Sequence, residues 1–377
     1  MPRRRGGKSG LVSSGVLFAL LVVLALTLYV ALKPKAPASP AVPTGSILPP
    51  AASVSPPADP LPEWFSVYFT EPGSPGSLAK RGGPDAVLAE AIRAARLSVD
   101  AAIYDLNLWS IRNALLAAHQ RGLSVRIVVE SDNLDQPEIQ SLSAAGIEVL
   151  GDRRESLMHN KFILIDRIEV WTGSMNFTLN GAYENNNNLI RLRSESLAEN
   201  YLVEFEEMFV DDRFGPGSPA NTPHPDLEIE GNRVETFFSP EDETGARLLE
   251  LLRDARQSIR FMVYSFTSDP IAEAMIERAR AGVSVAGVLD EGQSNQNTGA
   301  EYERLLSGGV DVRLDGNPDN MHHKVIIIDE KIVVTGSYNL SANAEKRNDE
   351  NTLILHDPEI AALYLSEFEH VFQLAKK

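Results

Sequence analysis

The sequence predicts an α/β fold made of two similar halves, with a membrane-spanning segment ahead of them. Strand-like and helix-like apolar runs alternate along the chain, which is typical of a layered fold with a largely parallel or mixed sheet. A polar motif occurs twice with the same internal spacing, which indicates the two halves. An apolar run near the N-terminus is long enough to cross a bilayer.

The N-terminal segment, residues 1–33, predicts one transmembrane helix. Leu11 to Leu32 is almost entirely apolar, and four basic residues precede it. This distribution of charge predicts a cytoplasmic N-terminus and a body on the extracytoplasmic side. A cleaved signal peptide, with secretion of the body, is the alternative interpretation, although the apolar core of such peptides is usually only about 7–15 residues long.

The rest of the chain divides into a linker and a two-lobed body. Residues 34–62 are rich in Pro, Ala and Ser, which predicts an extended, semi-rigid tether. The body follows as a first lobe at residues 63–212, an interlobe linker at 213–231 and a second lobe at 232–377.

The two lobes repeat each other over most of their length. Ala95–Val99 resembles Ala255–Ile259, and Arg121–Val125 resembles Ala281–Val285, both at an offset of 160 residues. Within this repeat, apolar patterns predict alternating strands and helices. The predicted strands are Ser98–Tyr104, Ser124–Val129, Glu148–Leu150 and Ser284–Leu289, and the predicted helices are Ser110–Arg121, Glu138–Ala145 and Pro270–Ala281.

Composition excludes some classes of function. The chain has no cysteine, which rules out disulfides, thiolate catalysis and cysteine-based zinc sites. The first 58 residues carry six basic and no acidic side chains, so the body carries 29 basic and 52 acidic residues, a net charge of −23. A body this acidic is a poor generic binder of nucleic acid. The same acidity would also keep an exported domain soluble.

The repeated motif reads His-x-Lys-x4-Asp and is followed by Gly-Ser-x-Asn. The step from the histidine to the glycine is 14 residues in both copies. Because the histidine and lysine are two residues apart on a predicted strand, they point to the same side of it. The site candidates are His159, Lys161, Asp166, Ser174 and Asn176 in the first copy, and His322, Lys324, Asp329, Ser337 and Asn339 in the second.

These residue types suit the cleavage of a phosphodiester. A neutral imidazole can attack phosphorus while a second, protonated imidazole donates a proton to the leaving oxygen. The lysines supply fixed positive charge for the phosphoryl oxygens, and the Ser and Asn side chains supply hydrogen-bond donors for the substrate phosphate. A cationic cluster of this kind can take the place of a metal ion, so no cofactor is expected.

The two His-Lys-Asp motifs with their trailing Gly-Ser-x-Asn resemble those of the phospholipase D/nuclease superfamily. The resemblance covers both halves, from about Trp64 to the C-terminus. It implies two α/β/α lobes with mixed sheets, related by a pseudo-twofold axis, and one active site at their interface. It also implies a phosphohistidine intermediate on His159, with His322 as the acid. The motif aspartates, Asp166 and Asp329, would hold the hairpin rather than carry protons.

In this superfamily an acidic residue after Gly-Ser-x-Asn often orients the histidine. Glu350 matches this position in the second copy. The alignment of the first copy places Asn186 there, so Glu184 is the nearest substitute. The run Asn185–Asn188 is interpreted as a polar strand edge, and His323 is expected to point away from the site.

The sequence therefore predicts a membrane-anchored phosphodiesterase that hydrolyses phospholipid head groups, with phospholipid and membrane as its partners. It is expected to act as a monomer because both motifs lie in one chain. An endonuclease of the same superfamily is the first alternative, although the acidic body disfavours nucleic acid. A phosphatidyl transferase similar to cardiolipin synthase, and a non-enzymatic envelope protein that binds anionic head groups, are the others.

Overall fold

The computed structural model describes residues 64–154 and 156–376. The predicted transmembrane segment and the linker at 34–62 lie outside these residues. None of the helices in the described part of the chain has the length and apolar content needed to cross a membrane. The described residues belong to one compact unit that contains both lobes.

The first lobe contains a mixed sheet of seven strands. They are β1 (Phe65–Phe69), β2 (Ser98–Ile103), β3 (Ser124–Val129), β4 (Glu148–Gly151), β5 (Lys161–Ile165), β6 (Glu169–Gly173) and β7 (Asn188–Arg193). Their spatial order is β1-β7-β6-β5-β2-β3-β4. Strands β2, β3 and β4 run parallel, and the other neighbours pair antiparallel.

The second lobe repeats this topology and adds one strand. Its strands are β8 (Asp226–Ile229), β9 (Asn232–Ser239), β10 (Ser258–Val263), β11 (Ser284–Leu289), β12 (Asp311–Leu314), β13 (Lys324–Ile328), β14 (Ile332–Gly336) and β15 (Glu350–His356). Their order is β12-β11-β10-β13-β14-β15-β9-β8. The predicted α/β class with mixed sheets is confirmed.

The described helices mostly connect the strands or follow the last strand of each lobe. They are α1 (Pro75–Leu78), α2 (Pro84–Ala94), α3 (Trp109–Gln120), α4 (Pro137–Ala144), α5 (Leu179–Tyr183), α6 (Glu195–Phe209), α7 (Thr244–Asp254), α8 (Asp269–Arg280), α9 (Glu291–Gln296), α10 (Tyr302–Ser307), α11 (Ala342–Lys346) and α12 (Pro358–Leu374). The helices predicted from sequence are present, and their ends differ from the prediction by one residue.

The predicted interlobe linker is partly an element of the second sheet. Strand β8 lies inside residues 213–231 and pairs with β9. A two-residue turn at Glu230 and Gly231, both with positive φ, reverses the chain between the two strands. Ile229 is buried in the core and anchors this edge strand.

The core has a shared central layer and one outer layer for each lobe. The central layer joins buried apolar residues of both lobes, whereas each outer layer uses one lobe alone. Helix α6 of the first lobe packs on its own sheet and also contacts β9 of the second, and α12 contacts β1 in the same way. The ring of Tyr201 on α6 lies 5.0 Å from Phe162 of its own lobe and 5.2 Å from Phe238 of the other. The lobes therefore share one hydrophobic core.

Two buried asparagines fasten the lobes to each other. Thr172 Oγ1 donates to Asn351 Oδ1 over 2.7 Å, and Thr335 Oγ1 donates to Asn188 Oδ1 over 2.9 Å, so the two bonds form a symmetric pair. Tyr201 and Tyr364 add one hydrogen bond each to the same two oxygens. Asn187 and Asn188 are fully buried, so the interpretation of Asn185–Asn188 as a polar strand edge is wrong. The run is polar because it bonds across the lobe interface.

The motif aspartates hold the hairpins that follow β5 and β13. Each hairpin turns through two residues with positive φ, the aspartate and its successor. Asp329 accepts hydrogen bonds from the backbone N–H groups of Arg256, Gln257 and Ser258 at 2.7–3.1 Å, and Asp166 accepts the equivalent set in the first lobe. Burial by itself would raise the pKa of Asp329, but these backbone bonds outweigh it and lower the pKa.

We expect Asp329→Ala to destabilise the fold by about 1–3 kcal/mol, because three backbone N–H groups lose their acceptor. A lowered folded-state pKa stabilises the native state above the unfolded pKa, so the difference from the wild type should shrink as the pH falls below about 4. Chemical denaturation at pH 7 and pH 3.5 measures this, with the exposed Asp319→Ala as control. Loss of turnover without loss of stability would contradict a structural role.

Candidate active site

The two motif histidines lie at the interface, and each is held by the opposite lobe. The backbone N–H of His159 donates to Asp349 O over 3.0 Å, and that of His322 donates to Asn186 O over 2.9 Å. Both side chains are at least nine-tenths buried. Burial lowers the pKa of His322, and the charges of Lys324 and of Lys161 from the other lobe lower it further. The repeat in the sequence thus becomes one site.

The acidic partner of His159 is Glu350 of the second lobe. His159 Nδ1 lies 2.7 Å from Glu350 Oε2. The carboxylate also accepts hydrogen bonds from Ser337 Oγ over 2.6 Å and from Asn348 Nδ2 over 3.2 Å. A carboxylate can only accept here, so Nδ1 carries the proton and the lone pair stays on Nε2. His159 is therefore oriented for attack through Nε2.

The partner of His322 is an amide instead of a carboxylate. His322 Nδ1 lies 3.0 Å from Asn187 Oδ1 and 3.1 Å from Ser174 O. Asn187 Nδ2 donates to Gly181 O and its Oδ1 accepts from Ser174 Oγ, which fixes the orientation of the amide. Both atoms facing His322 Nδ1 are acceptors, so this nitrogen also carries a proton.

The expected alignment of the first copy is wrong by one residue. Ser174 N donates to Asn188 O and Ser337 N donates to Asn351 O, so Asn188 corresponds to Asn351. Asn187, and not Asn186, is therefore the counterpart of Glu350. The carboxylate of Glu184, the other expected orienting residue, forms a half-exposed ion pair with Lys80.

Glycine begins the Gly-Ser-x-Asn segment in both lobes for steric reasons. Gly173 and Gly336 have φ values of 142° and 148°. A Cβ added at these positions would lie 2.4 Å from Asn188 O and 2.1 Å from Asn351 O. The close approach lets the following serine reach the residue that orients each histidine.

The motif lysines lie beside the histidines and against a pair of tyrosines. Lys324 Nζ is 3.2 Å from His322 Nε2, and Lys161 Nζ is 2.6 Å from His159 O. Each ammonium also lies over a tyrosine ring, with Lys161 4.8 Å from the centroid of Tyr104 and Lys324 5.0 Å from that of Tyr264. Two buried amino groups in one cleft form a site for an anion, whose charge would favour their protonated forms.

Burial and mutual repulsion set the charge of this cluster. Burial lowers the pKa of His159 to about 4, Glu350 opposes this, and both lysines add to it. Burial also lowers the pKa of Lys161 to about 7, and it lowers that of Lys324 together with the charge of Lys161. Burial alone would raise the pKa of Glu350, but His159 and Lys161 lower it overall. At neutral pH His159 is thus a neutral imidazole next to a carboxylate.

Comparison with known proteins identifies the family of this chain. The family model described as cardiolipin synthase, PLD-like domain, matches residues 88–209 and 248–372, once in each lobe. A phospholipase D of Rickettsia bellii is 33% identical over 155 residues, which are 40% of this chain and 77% of the relative. The chain belongs to the phospholipase D superfamily. It is a phospholipase D-like phosphodiesterase.

The chain is also similar to a second relative and to a solved structure. The mitochondrial cardiolipin hydrolase of Mus musculus is 32% identical over 160 residues, which are 42% of this chain and 65% of that protein. The crystal structure of phosphatidylserine synthase from Haemophilus influenzae covers 82% of this chain and 86% of its own, with a TM-score of 0.60 and 14% identity. The latter likeness supports the two-lobed fold alone.

The serines and asparagines of the phospholipase D-like motif lie in different layers of the site. Ser174 and Ser337 were expected to bind substrate phosphate, but they are fully buried and donate to Asn187 and Glu350. They lie behind the histidines and position their partners. Asn176 and Asn339 are partly exposed, and in the described structure neither side-chain oxygen has a hydrogen-bond partner. These two oxygens are themselves buried, so a contact with substrate would use the exposed part of each side chain.

Sequence reasoning missed the acids that hold the chain just before each motif histidine. Met158 N donates to Glu130 Oε2 over 2.7 Å, and Met321 N donates to Asp290 Oδ2 over 3.1 Å. Burial raises the pKa of Glu130 to about 7. The available signal was positional, because each acid directly follows a parallel strand at equivalent points of the repeat. Sequence reasoning also predicted no role for Tyr104 and Tyr264, which lie at equivalent points of the repeat.

Three further carboxylates come together on the other side of the first motif strand. Oxygen atoms of Glu204, Glu207 and Glu241 lie within 4.8 Å of one another, and Asn160 Nδ2 donates to Glu204 over 3.4 Å. Burial raises the pKa of Glu204 well above its ordinary value and that of Glu241 to about 8. Burial thus favours the protonated forms of Glu204 and Glu241. Asn160 and His159 alternate along the chain, so the acids lie away from the imidazole.

We expect Glu350→Gln to lower kcat about 10–100-fold, because His159 loses the carboxylate that orients it and stabilises positive charge on its ring. Steady-state turnover of a soluble phosphodiester measures the loss, and thermal unfolding checks that the variant is folded. Glu184→Gln is the matched control and should retain activity, since Glu184 contacts Lys80 and no histidine. Equal losses in both variants would argue against the cross-lobe pair.

Proposed function

We propose that this chain is a membrane-anchored phospholipase D that hydrolyses the head-group phosphodiester of phospholipids without a metal ion. The observation that carries the proposal is the pair of imidazoles, each with Nδ1 bonded to an acceptor of the opposite lobe. The similarity to a phospholipase D and a cardiolipin hydrolase supports a lipid substrate. The predicted N-terminal span supports a location at the outer face of a membrane.

In the proposed first step, His159 Nε2 attacks phosphorus and the bond to the head-group oxygen breaks. His322 Nε2–H gives its proton to the departing alkoxide, so the alcohol leaves neutral. The phosphatidyl group is then bonded to His159, whose ring carries a positive charge beside the Glu350 carboxylate. This charge is the reason for assigning the nucleophile to His159, because Asn187 offers His322 only a neutral partner.

In the second step, neutral His322 takes a proton from water, and the hydroxide attacks phosphorus. The bond to His159 Nε2 breaks, which releases phosphatidic acid and restores both histidines. Lys161, Lys324 and the amides of Asn176 and Asn339 would bind the phosphoryl oxygens as charge develops on them. The substrate anion offsets the charge of the two lysines, which raises the pKa of His322 and lets it hold the proton that it donates.

The roles of the two histidines can be separated with leaving groups of different basicity. We expect His159→Ala and His322→Ala each to lose about 10²–10⁴-fold or more in turnover of phosphatidylcholine. A p-nitrophenyl diester needs little protonation of its leaving group, so His322→Ala should recover its first step and accumulate phosphohistidine. His159→Ala should show neither effect. If His159→Ala instead recovered the first step on this diester, His322 would be the nucleophile and His159 the acid.

A substrate panel tests the lipid assignment. The detergent-solubilised protein is incubated with phosphatidylcholine, cardiolipin, single-stranded DNA and duplex DNA, with His159→Ala as the inactive control. We expect release of phosphatidic acid from phosphatidylcholine or from cardiolipin. We expect little cleavage of DNA, because the body carries a net charge of −23. Preferential cleavage of DNA would overturn the proposal. Transfer to an added alcohol with no hydrolysis would identify a transferase.

A further inference from the structure

Two exposed apolar side chains lie next to the first lobe's side of the active site. Trp109 begins α3 and is 66% exposed, and Leu179 begins α5 and is 39% exposed. The chain has three tryptophans, and the other two, Trp64 and Trp171, are buried. A tryptophan exposed to this extent leaves a large apolar surface in water, which calls for an explanation when its neighbour is also apolar.

Both residues come from segments that lead directly out of the site. Trp109 follows Tyr104 by five residues, and Leu179 follows Asn176 by three. The two segments are tied to each other by hydrogen bonds. Asn107 N and Leu108 N donate to Phe177 O, and Leu179 N donates to Asn107 Oδ1 over 2.7 Å. The segments that carry Trp109 and Leu179 are therefore joined close to the motif residues, and we call these two residues the rim pair.

The second lobe shows that the fold does not require apolar residues here. Thr267 N donates to Leu340 O over 2.8 Å, which repeats the contact between the two segments. The positions equivalent to the rim pair are Asp269 and Ala342. Asp269 is strongly exposed and forms an ion pair with Arg304 at 3.5 Å. One rim of the cleft is thus apolar and the other charged.

We propose that the rim pair inserts into the surface of the phospholipid layer and seats the cleft on it. This inference rests on the proposed function and adds the surface by which the enzyme meets its substrate. An indole ring favours the boundary between head groups and acyl chains, where the scissile phosphodiesters lie. The net negative charge of the body gives it no overall electrostatic attraction to anionic membranes. A contact of the body itself with the lipid surface would therefore depend on apolar insertion.

The test exchanges the rim of the first lobe for that of the second. The variant Trp109→Asp with Leu179→Ala carries the residues that the second lobe has at the same positions, and an aspartate suits the start of a helix. We expect its turnover on phosphatidylcholine vesicles to fall about tenfold or more, while its turnover of soluble bis(p-nitrophenyl) phosphate stays within about twofold of the wild type. Trp109→Phe should retain most of the vesicle activity.

A matched control changes an exposed apolar residue far from the cleft. Leu97 is 59% exposed and precedes β2, whereas Tyr104 follows the other end of that strand, so Leu97→Ser should leave both activities unchanged. Unchanged vesicle turnover in the exchanged variant would overturn the proposal. So would an equal loss on vesicles and on the soluble diester, because that would indicate damage to the site itself.

Fluorescence makes the inference testable apart from lipid hydrolysis. In a His159→Ala background, phosphatidylcholine vesicles should shift the tryptophan emission to shorter wavelength, and Trp109→Phe should abolish the shift because the other two tryptophans are already buried. If the wild type cleaves the soluble diester but no lipid, the proposed function fails. In that case the emission shift still tests whether the rim pair inserts into the lipid surface. Absence of the shift would overturn insertion, and presence of the shift would support it.

Discussion

The site depends on hydrogen bonds that cross the interface between the two lobes. Glu350 of the second lobe fixes the imidazole of His159, and Asn187 of the first fixes that of His322. Neither lobe by itself supplies both a motif histidine and the residue that orients it. The shared core, the paired Thr–Asn bonds and the packing of α6 and α12 across the interface maintain these contacts. A change that weakens the interface would therefore also disturb the orientation of both histidines.

The pseudo-twofold symmetry of the fold supports an asymmetric site. The two halves match in sheet order, hairpin turns, aspartate anchors and buried asparagines. They differ at the partners of the motif histidines, because His159 faces a carboxylate and His322 faces a neutral amide. In the proposed mechanism, the carboxylate beside His159 would stabilise the positive ring of a phosphohistidine, and the neutral partner of His322 would leave it a weaker base that gives up its proton readily.

The rim pair extends the same principle from the site to its surroundings. Trp109 and Leu179 occupy positions at which the second lobe has Asp269 and Ala342, although the backbone contacts beneath them are alike. An internal repeat preserves the scaffold because packing and hydrogen bonds constrain it, and it leaves exposed positions free to change. Comparing the two halves therefore separates residues that the fold needs from residues that a function can use.

The sequence by itself determined the repeated lobes, the bounds of the four strands and three helices predicted in them to within one residue, and the motif residues, because these follow from local periodicity and spacing. It did not reveal β8, which lies in the predicted interlobe linker. It did not determine the partner of each histidine. His159 and Glu350 are 191 residues apart, and His322 and Asn187 are 135 apart, so only the packing of the lobes brings them together. The one-residue error that favoured Asn186 and Glu184 has the same origin, because a run of four asparagines gives no register. Only the tertiary structure showed that Ser174 and Ser337 are buried and position the partners of the histidines, because burial depends on how the two lobes pack.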